Sequence, residues 1–120
     1  MPIKTILIVD DNEVDRFLHE AIIHRAYPNI EVLQAFDGSH ALQILESAKP
    51  DVVFLDINMP NMNGIAFLEE VSKNGEIPPI YMLTSLYKDC DRAQIDKYSA
   101  VIECLEKPLT SEMISRIMKI

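Results

Sequence analysis

Apolar residues along this chain alternate between continuous runs and helical spacing. Ile6 to Val9 is an unbroken apolar run, which suits a strand covered on both faces in a parallel sheet. Val14, Phe17, Leu18, Ala21 and Ile22 then recur at helical spacing and predict a helix buried along that stripe. Pro28 and Asn29 break it, Ile30 to Phe36 reads as a more mixed second strand, and Asp37 and Gly38 turn the chain. Ala41, Leu42, Leu45 and Ala48 predict a second helix closed by Pro50, and Val52 to Leu55 a third strand. A third helix follows from about Gly64 to Ser72 with Phe67, Leu68 and Val71 inward, and Pro78 and Pro79 lead into a fourth strand at Ile80 to Leu83. From Lys88 to Tyr98 only Ala93, Ile95 and Tyr98 hint at a helix, and Val101 to Leu105 makes a fifth strand. A last helix begins near Thr110 as cap, with Glu112 in its first turn and Met113, Ile114, Ile117 and Met118 inward.

Five strand-helix units with short connections predict an α/β fold with a doubly wound, five-stranded parallel sheet, because each parallel crossover needs a helix. Ligands of such sheets bind beyond the carboxyl ends of the strands. The 120 residues suit one domain, 1–120, and 48% apolar with 25% charged residues is the mix of a folded protein rather than a disordered one. No apolar run approaches the roughly 20 residues that span a bilayer, and no basic segment leads an apolar one, so the expected compartment is the cytoplasm, with no membrane partner. A net charge of -8 argues against nucleic acid as a partner of this chain. Cys90 and Cys104 lack a CxxC or metal-ligand spacing and read as free thiols.

Asp10 and Asp11 end the first strand, and Asp56 ends the third. Two unit charges about 4 Å apart repel by roughly 4 kcal/mol at an effective dielectric of about 20, so acids gathered there want protons or a cation. A hard, oxygen-ligated ion with room for water points to Mg2+. Asp10 or Asp11 taken singly reads as a helix cap, Thr84 after the fourth strand as another cap, and Lys107 after the fifth as a surface charge. Together they supply metal-binding acids, a nucleophile, a hydroxyl donor and a positive charge, the equipment for phosphoryl transfer.

The set "ILIVDD" with Asp10 and Asp11, "VVFLDINMPNMNG" from Asp56 to Gly64, "YMLTS" with Thr84 and "LEKP" with Lys107 and Pro108 resembles the receiver domain of two-component response regulators, particularly stand-alone members of the chemotaxis-regulator type. The resemblance covers nearly the whole chain. It implies a flavodoxin-like (βα)5 fold with strand order 2-1-3-4-5. It also implies that Asp56 takes a phosphoryl group from a phosphohistidine on a sensor histidine kinase or histidine phosphotransfer protein, with the receiver doing much of the chemistry rather than acting as a turnover enzyme. Asp11, Asp56 and the backbone carbonyl of Asn58 would bind Mg2+, Asp10 acting mainly through a water. Lys107 would contact phosphoryl oxygens or Asp56, the Thr84 hydroxyl would turn inward to the phosphate, and Pro108 would follow a cis peptide. With no output domain after the last helix, signalling would run through a downstream protein target, at the face of the fourth helix, fifth strand and fifth helix.

The chain departs from the family pattern at Cys104, which stands three residues before Lys107, where most receivers carry an aromatic switch residue. It is either a small core residue or a redox sensor. Asn63 replaces a common acid, while Asn58 and Leu86 fall where family members tune loss of phosphate. Pro60 and Gly64 belong either to the site or to an ordinary turn, Gly64 by a conformation or close approach that a side chain forbids. Tyr81, Tyr87 and Tyr98 read as core or rim, and His19, His24 and His40 as structural or surface residues. Two other readings compete: an aspartyl-phosphate hydrolase of the haloacid dehalogenase type, which usually has a second acid where Asn58 stands, and a receiver-shaped scaffold that works without phosphate.

Overall fold

The apolar runs become five strands, β1 (Thr5–Val9), β2 (Glu31–Ala35), β3 (Val52–Asp56), β4 (Ile80–Thr84) and β5 (Val101–Glu106). Between and after them lie α1 (Glu13–Ala26), α2 (Gly38–Ser47), α3 (Gly64–Ser72), α4 (Arg92–Ile95) and α5 (Ser111–Met118). The computed structural model describes residues 3–57, 59, 64–73, 77–85, 90 and 92–118. All strand pairs are parallel, in the order β2-β1-β3-β4-β5. The doubly wound sheet agrees with the sequence and its order with the resemblance, and among the described residues the fourth helix, where anchors were sparse, is one turn long.

Side-chain alternation sorts the strand residues onto two faces. Leu7, Val9, Val53, Leu55, Met82 and Cys104 pack with Ala41, Phe67, Leu68, Val71 and Ile95 on the side of α2, α3 and α4. Ile6, Ile8, Phe54, Tyr81, Leu83 and Leu105 pack with Ile23, Ile114 and Ile117 on the side of α1 and α5. Each fully buried Leu, Ile or Phe contributes about 1.5–3 kcal/mol to this core. Tyr81 lies in the core against Phe54, their rings 5.9 Å apart. Thr110 caps α5 by accepting the Met113 N–H at 3.1 Å. Tyr98 is half-buried on the rim, and Tyr87 lies outside the described residues.

Two expectations are corrected. The stripe Val14, Phe17, Leu18 and Ala21 does not face the core: Val14 and Phe17 are each 73% exposed, and the residues α1 buries are His19 and Ile23. The helix is turned by polar bonds across its inner side. Arg16 donates to the Asp10 carbonyl at 2.7 Å and to Gln34 Oε1 at 3.1 Å, and Gln34 donates to Glu20 at 3.0 Å. Cys90 and Cys104, expected as free thiols, form a disulfide with Cα atoms 6.5 Å apart. Spacing along the chain carries no information on this pairing, which arises because Cys90 and the buried Cys104 of β5 belong to one apolar cluster. Cross-linking residues 14 apart removes about 3 kcal/mol of loop entropy from the unfolded chain.

His19 is fully buried, and neither ring nitrogen hydrogen-bonds to another described residue. Burial and then the Lys107 charge hold its pKa below the ordinary imidazole value, against the pull of Asp10 and Asp15. The neutral ring is therefore favoured in the folded state. Below about pH 6.5 the unfolded chain binds the extra proton, so the histidine's contribution to stability falls by up to about 1.4 kcal/mol per pH unit until the folded pKa is reached. His19→Leu should be at least as stable at neutral pH and lose less stability on acidification, measured by urea unfolding across that range. An unchanged acid slope in the variant would refute this account.

Candidate functional site

The carboxyl edge of the sheet gathers the chemistry. In register, Val9 pairs with Leu55, Asp56 with Leu83 and Thr84 with Glu106, so the residues that end β1, β3, β4 and β5 arrive at one level. Asp10 is fully buried just beyond β1, its N–H donating to the Ala35 carbonyl at 3.1 Å. Asp56 and Thr84 are buried, and Asp11 is exposed. One carboxylate oxygen from each of Asp10, Asp11 and Asp56 lies within 4.8 Å of the others.

Neither Asp10 nor Asp11 is the helix cap. Asn12 caps α1 by accepting the Asp15 N–H at 3.0 Å. Asp10 Oδ1 accepts the Asn12 N–H at 2.9 Å and tightens the turn into the helix. Asp10 Oδ2 is left for the site, where it meets Lys107.

Lys107 is held at its root and its tip. Its backbone N–H donates to the Thr84 carbonyl at 2.7 Å, and the Lys107–Pro108 peptide is cis, as the resemblance implied. Its ammonium donates to Asp10 Oδ2 at 2.7 Å and Asp15 Oδ2 at 2.9 Å, and stands 3.5 Å from Asp56 Oδ2. Burial works against the charge, yet the hydrogen bonds from Asp10 and Asp15, with the charges of Asp10 and Asp56, raise its pKa above the ordinary lysine value. The surface-charge alternative for Lys107 is thereby corrected: its side chain is largely enclosed among acids.

Asp15 is the member that sequence reasoning missed. It lies in the first turn of α1, where its carboxylate reaches the Lys107 ammonium at 2.9 Å. Asn58, Pro60, Asn63 and Leu86 lie outside the described residues.

Three carboxylates offer only oxygen donors, which suits a hard cation, and ligands on opposite sides of Mg2+ stand about 4 Å apart, within the reach of this cluster. Gly64 lies directly beneath. Its N–H donates to the Ile57 carbonyl at 2.8 Å, and a Cβ there would stand 3.0 Å from Ile57 Cα and 3.1 Å from the Asp56 carbonyl oxygen. Close approach, rather than an unusual backbone angle, requires this glycine. Gly64→Ala should push the Asp56–Ile57 backbone by a few tenths of an ångström, cost about 1–3 kcal/mol in denaturant unfolding, and weaken Mg2+ binding in calorimetry. Wild-type stability and affinity in the variant would contradict the packing argument.

Known proteins resemble this chain along nearly all of its length. The family described as response regulator receiver domain matches residues 6–119. A protein-glutamate methylesterase/protein-glutamine glutaminase of Treponema denticola is 38% identical over 109 residues, covering 89% of this chain and 29% of that protein. One of Caulobacter vibrioides is 34% identical over 118 residues, covering 94% and 34% respectively. The chain thus spans about a third or less of these relatives. Among solved structures, the Vibrio cholerae chemotaxis protein CheY4 superposes with TM-score 0.84 at 28% identity, covering 98% of this chain and 97% of that one. The Thermotoga maritima response regulator TrrA, in complex with Mg(2+)-BeF, superposes with TM-score 0.81 at 27% identity, covering 97% and 96%.

Proposed function

The chain belongs to the response regulator receiver domain family, and on that premise we propose that Asp56 is its phosphoacceptor and that residues 1–120 work as one receiver. The observation that carries this reading is the enclosure of one ammonium, Lys107, by acids beside Asp56. An Asp56 carboxylate oxygen attacks phosphorus in line, the new P–O bond forming as the P–N bond to the donor histidine breaks. Lys107, 3.5 Å from Asp56 Oδ2, offsets the charge that gathers on the phosphoryl oxygens. The Thr84 hydroxyl donates to the phosphorylated aspartate from the end of the neighbouring strand.

Asp11, Asp56 and the Asn58 carbonyl would hold Mg2+, with Asp10 acting through a water because Lys107 engages its Oδ2. When bound, the ion supplies positive charge to the phosphoryl oxygens. The Mg(2+)-BeF complex of TrrA supports this choice of metal.

Phosphorylation replaces one negative charge with about -1.5 to -2 and adds acceptor oxygens, which draw Thr84 inward and bias a partner-binding surface. The downstream partner meets the face of α4, β5 and α5, where Ile102 is exposed. A sensor histidine kinase or phosphotransfer protein delivers the phosphoryl group, and the exposed Val14 and Phe17 of α1, the helix that leaves the acidic loop, offer it an apolar landing. The chain acts as a modified messenger rather than a turnover enzyme, in the cytoplasm where ATP charges such donors. The methylesterase activity named for the relatives is not carried over. Family membership also sets aside the haloacid dehalogenase reading.

A small phosphodonor with Mg2+ should add one phosphoryl group, seen by intact mass. Asp56→Asn or chelation of the metal should abolish it, and labelling that survives in Asp56→Asn would refute the assignment. Lys107→Ala should slow labelling about a hundredfold or more. Asp15→Asn removes the carboxylate that draws Lys107 toward α1 and should raise the rate by up to roughly fivefold, the worth of a part-exposed ion pair. A rate lowered instead would mean that Asp15 positions the ammonium productively.

A further inference from the structure

The two cysteines of this chain stand on either side of the moving parts just assigned. Cys104 is buried in β5, three residues before Lys107, on the face that packs α2, α3 and α4. Cys90 is half-buried, follows Thr84 by six residues and precedes α4. We propose that Cys90–Cys104 is a reversible dithiol–disulfide site, which when oxidised clamps the chain leading into α4 onto β5 and when reduced releases it.

The fold accommodates the cysteines in either state. A Cα separation of 6.5 Å lies within the roughly 4.4–6.8 Å that a disulfide closes without backbone movement. In the reduced state two small, weakly polar side chains remain against Met82, Phe67 and Ile95, surroundings that suit thiols. Access is asymmetric. Cys104 is buried while Cys90 reaches solvent, so small oxidants and thiols attack at Cys90. A disulfide in a reducing cytoplasm is as a rule transient or redox-sensing rather than structural.

The position gives the clamp its consequence, which rests on the phosphoacceptor reading. Met82 pairs with Cys104 and Thr84 with Glu106, so the end of β4 is already fixed to β5 by its ladder. The disulfide fixes the chain a second time, six residues beyond Thr84. With the bond closed, Cys90 and the start of α4 are held to β5 when the Thr84 hydroxyl turns inward; with it open they can shift.

Hydrogen peroxide is an adequate oxidant. The Cys90 thiolate attacks one peroxide oxygen, the O–O bond breaks, and a sulfenic acid and hydroxide form, the hydroxide taking up the thiol proton as water. Cys104 sulfur then attacks the sulfenic sulfur. The S–S bond forms, the S–O bond breaks, and the departing hydroxide takes the Cys104 proton as a second water. A dithiol reductant reverses this through a mixed disulfide at Cys90, Cys104 leaving as thiolate and the reductant closing its own disulfide.

The experiment takes the full chain through dithiothreitol reduction and peroxide oxidation. It counts alkylatable thiols by mass and follows amide hydrogen exchange in both states. Reduction should expose two thiols and oxidation hide them again, with amides of α4 and the first half of β5 exchanging about tenfold faster when reduced. Cys90→Ser should show the fast exchange throughout and ignore peroxide. The clamp is overturned by thiols that peroxide does not pair, by a disulfide that dithiothreitol does not open in the folded protein, or by equal exchange in the two states. A phosphodonor arm separates the two readings. Failure of Asp56 to label in either state counts against the phosphoacceptor, while thiol counts and exchange still decide the clamp. Labelling with identical exchange changes in both states overturns the proposed consequence.

Discussion

One ammonium group makes the carboxyl edge of this sheet possible. Asp10 and Asp56 are buried, Asp11 and Asp15 flank them, and Lys107 reaches into the group with contacts of 2.7, 2.9 and 3.5 Å. Buried acids without a partner would be strongly destabilising, and breaking such a cluster leaves an uncompensated charge. Because Lys107 follows β5 while Asp10 follows β1, the same contact also ties the edge strand to the middle of the sheet. Its backbone bond to the Thr84 carbonyl adds a third strand to the knot. Among the described residues one ammonium faces the carboxylates of Asp10, Asp15 and Asp56, and the acids outnumber it, which is the electrostatic reason the site suits a divalent ion.

That cluster also decides how α1 lies. An amphipathic helix would ordinarily bury its best apolar stripe, but here Asp15 and Arg16 serve the acidic edge and Glu20 bonds to Gln34 of β2. With its polar side committed inward, the helix turns Val14 and Phe17 to solvent and encloses His19 without a hydrogen bond from the described residues. Function has overridden local packing, and the cost falls on the helix rather than on the site.

The opposite side of the sheet carries a different compromise. Where most members of the family have an aromatic residue, Cys104 fills less volume and bonds covalently to Cys90. A bulky ring moves between rotamers, whereas a disulfide permits little movement until it is opened. Cys90, two residues before α4, is therefore joined to β5 by a covalent bond.

The amino-acid sequence by itself determined the doubly wound sheet, since unbroken runs such as Val52 to Leu55 can only be covered on both faces, and it determined which acids, threonine and lysine end the strands. Gly64 and the cis Lys107–Pro108 bond were likewise legible from turn chemistry and family pattern. Tertiary structure alone decided the face of α1, the inclusion of Asp15 and the union of Cys90 with Cys104. Periodicity reports that a helix has sides but not which side the rest of the molecule will claim, and that choice belongs to partners elsewhere in the chain: Lys107 for Asp15, and Cys90 for Cys104.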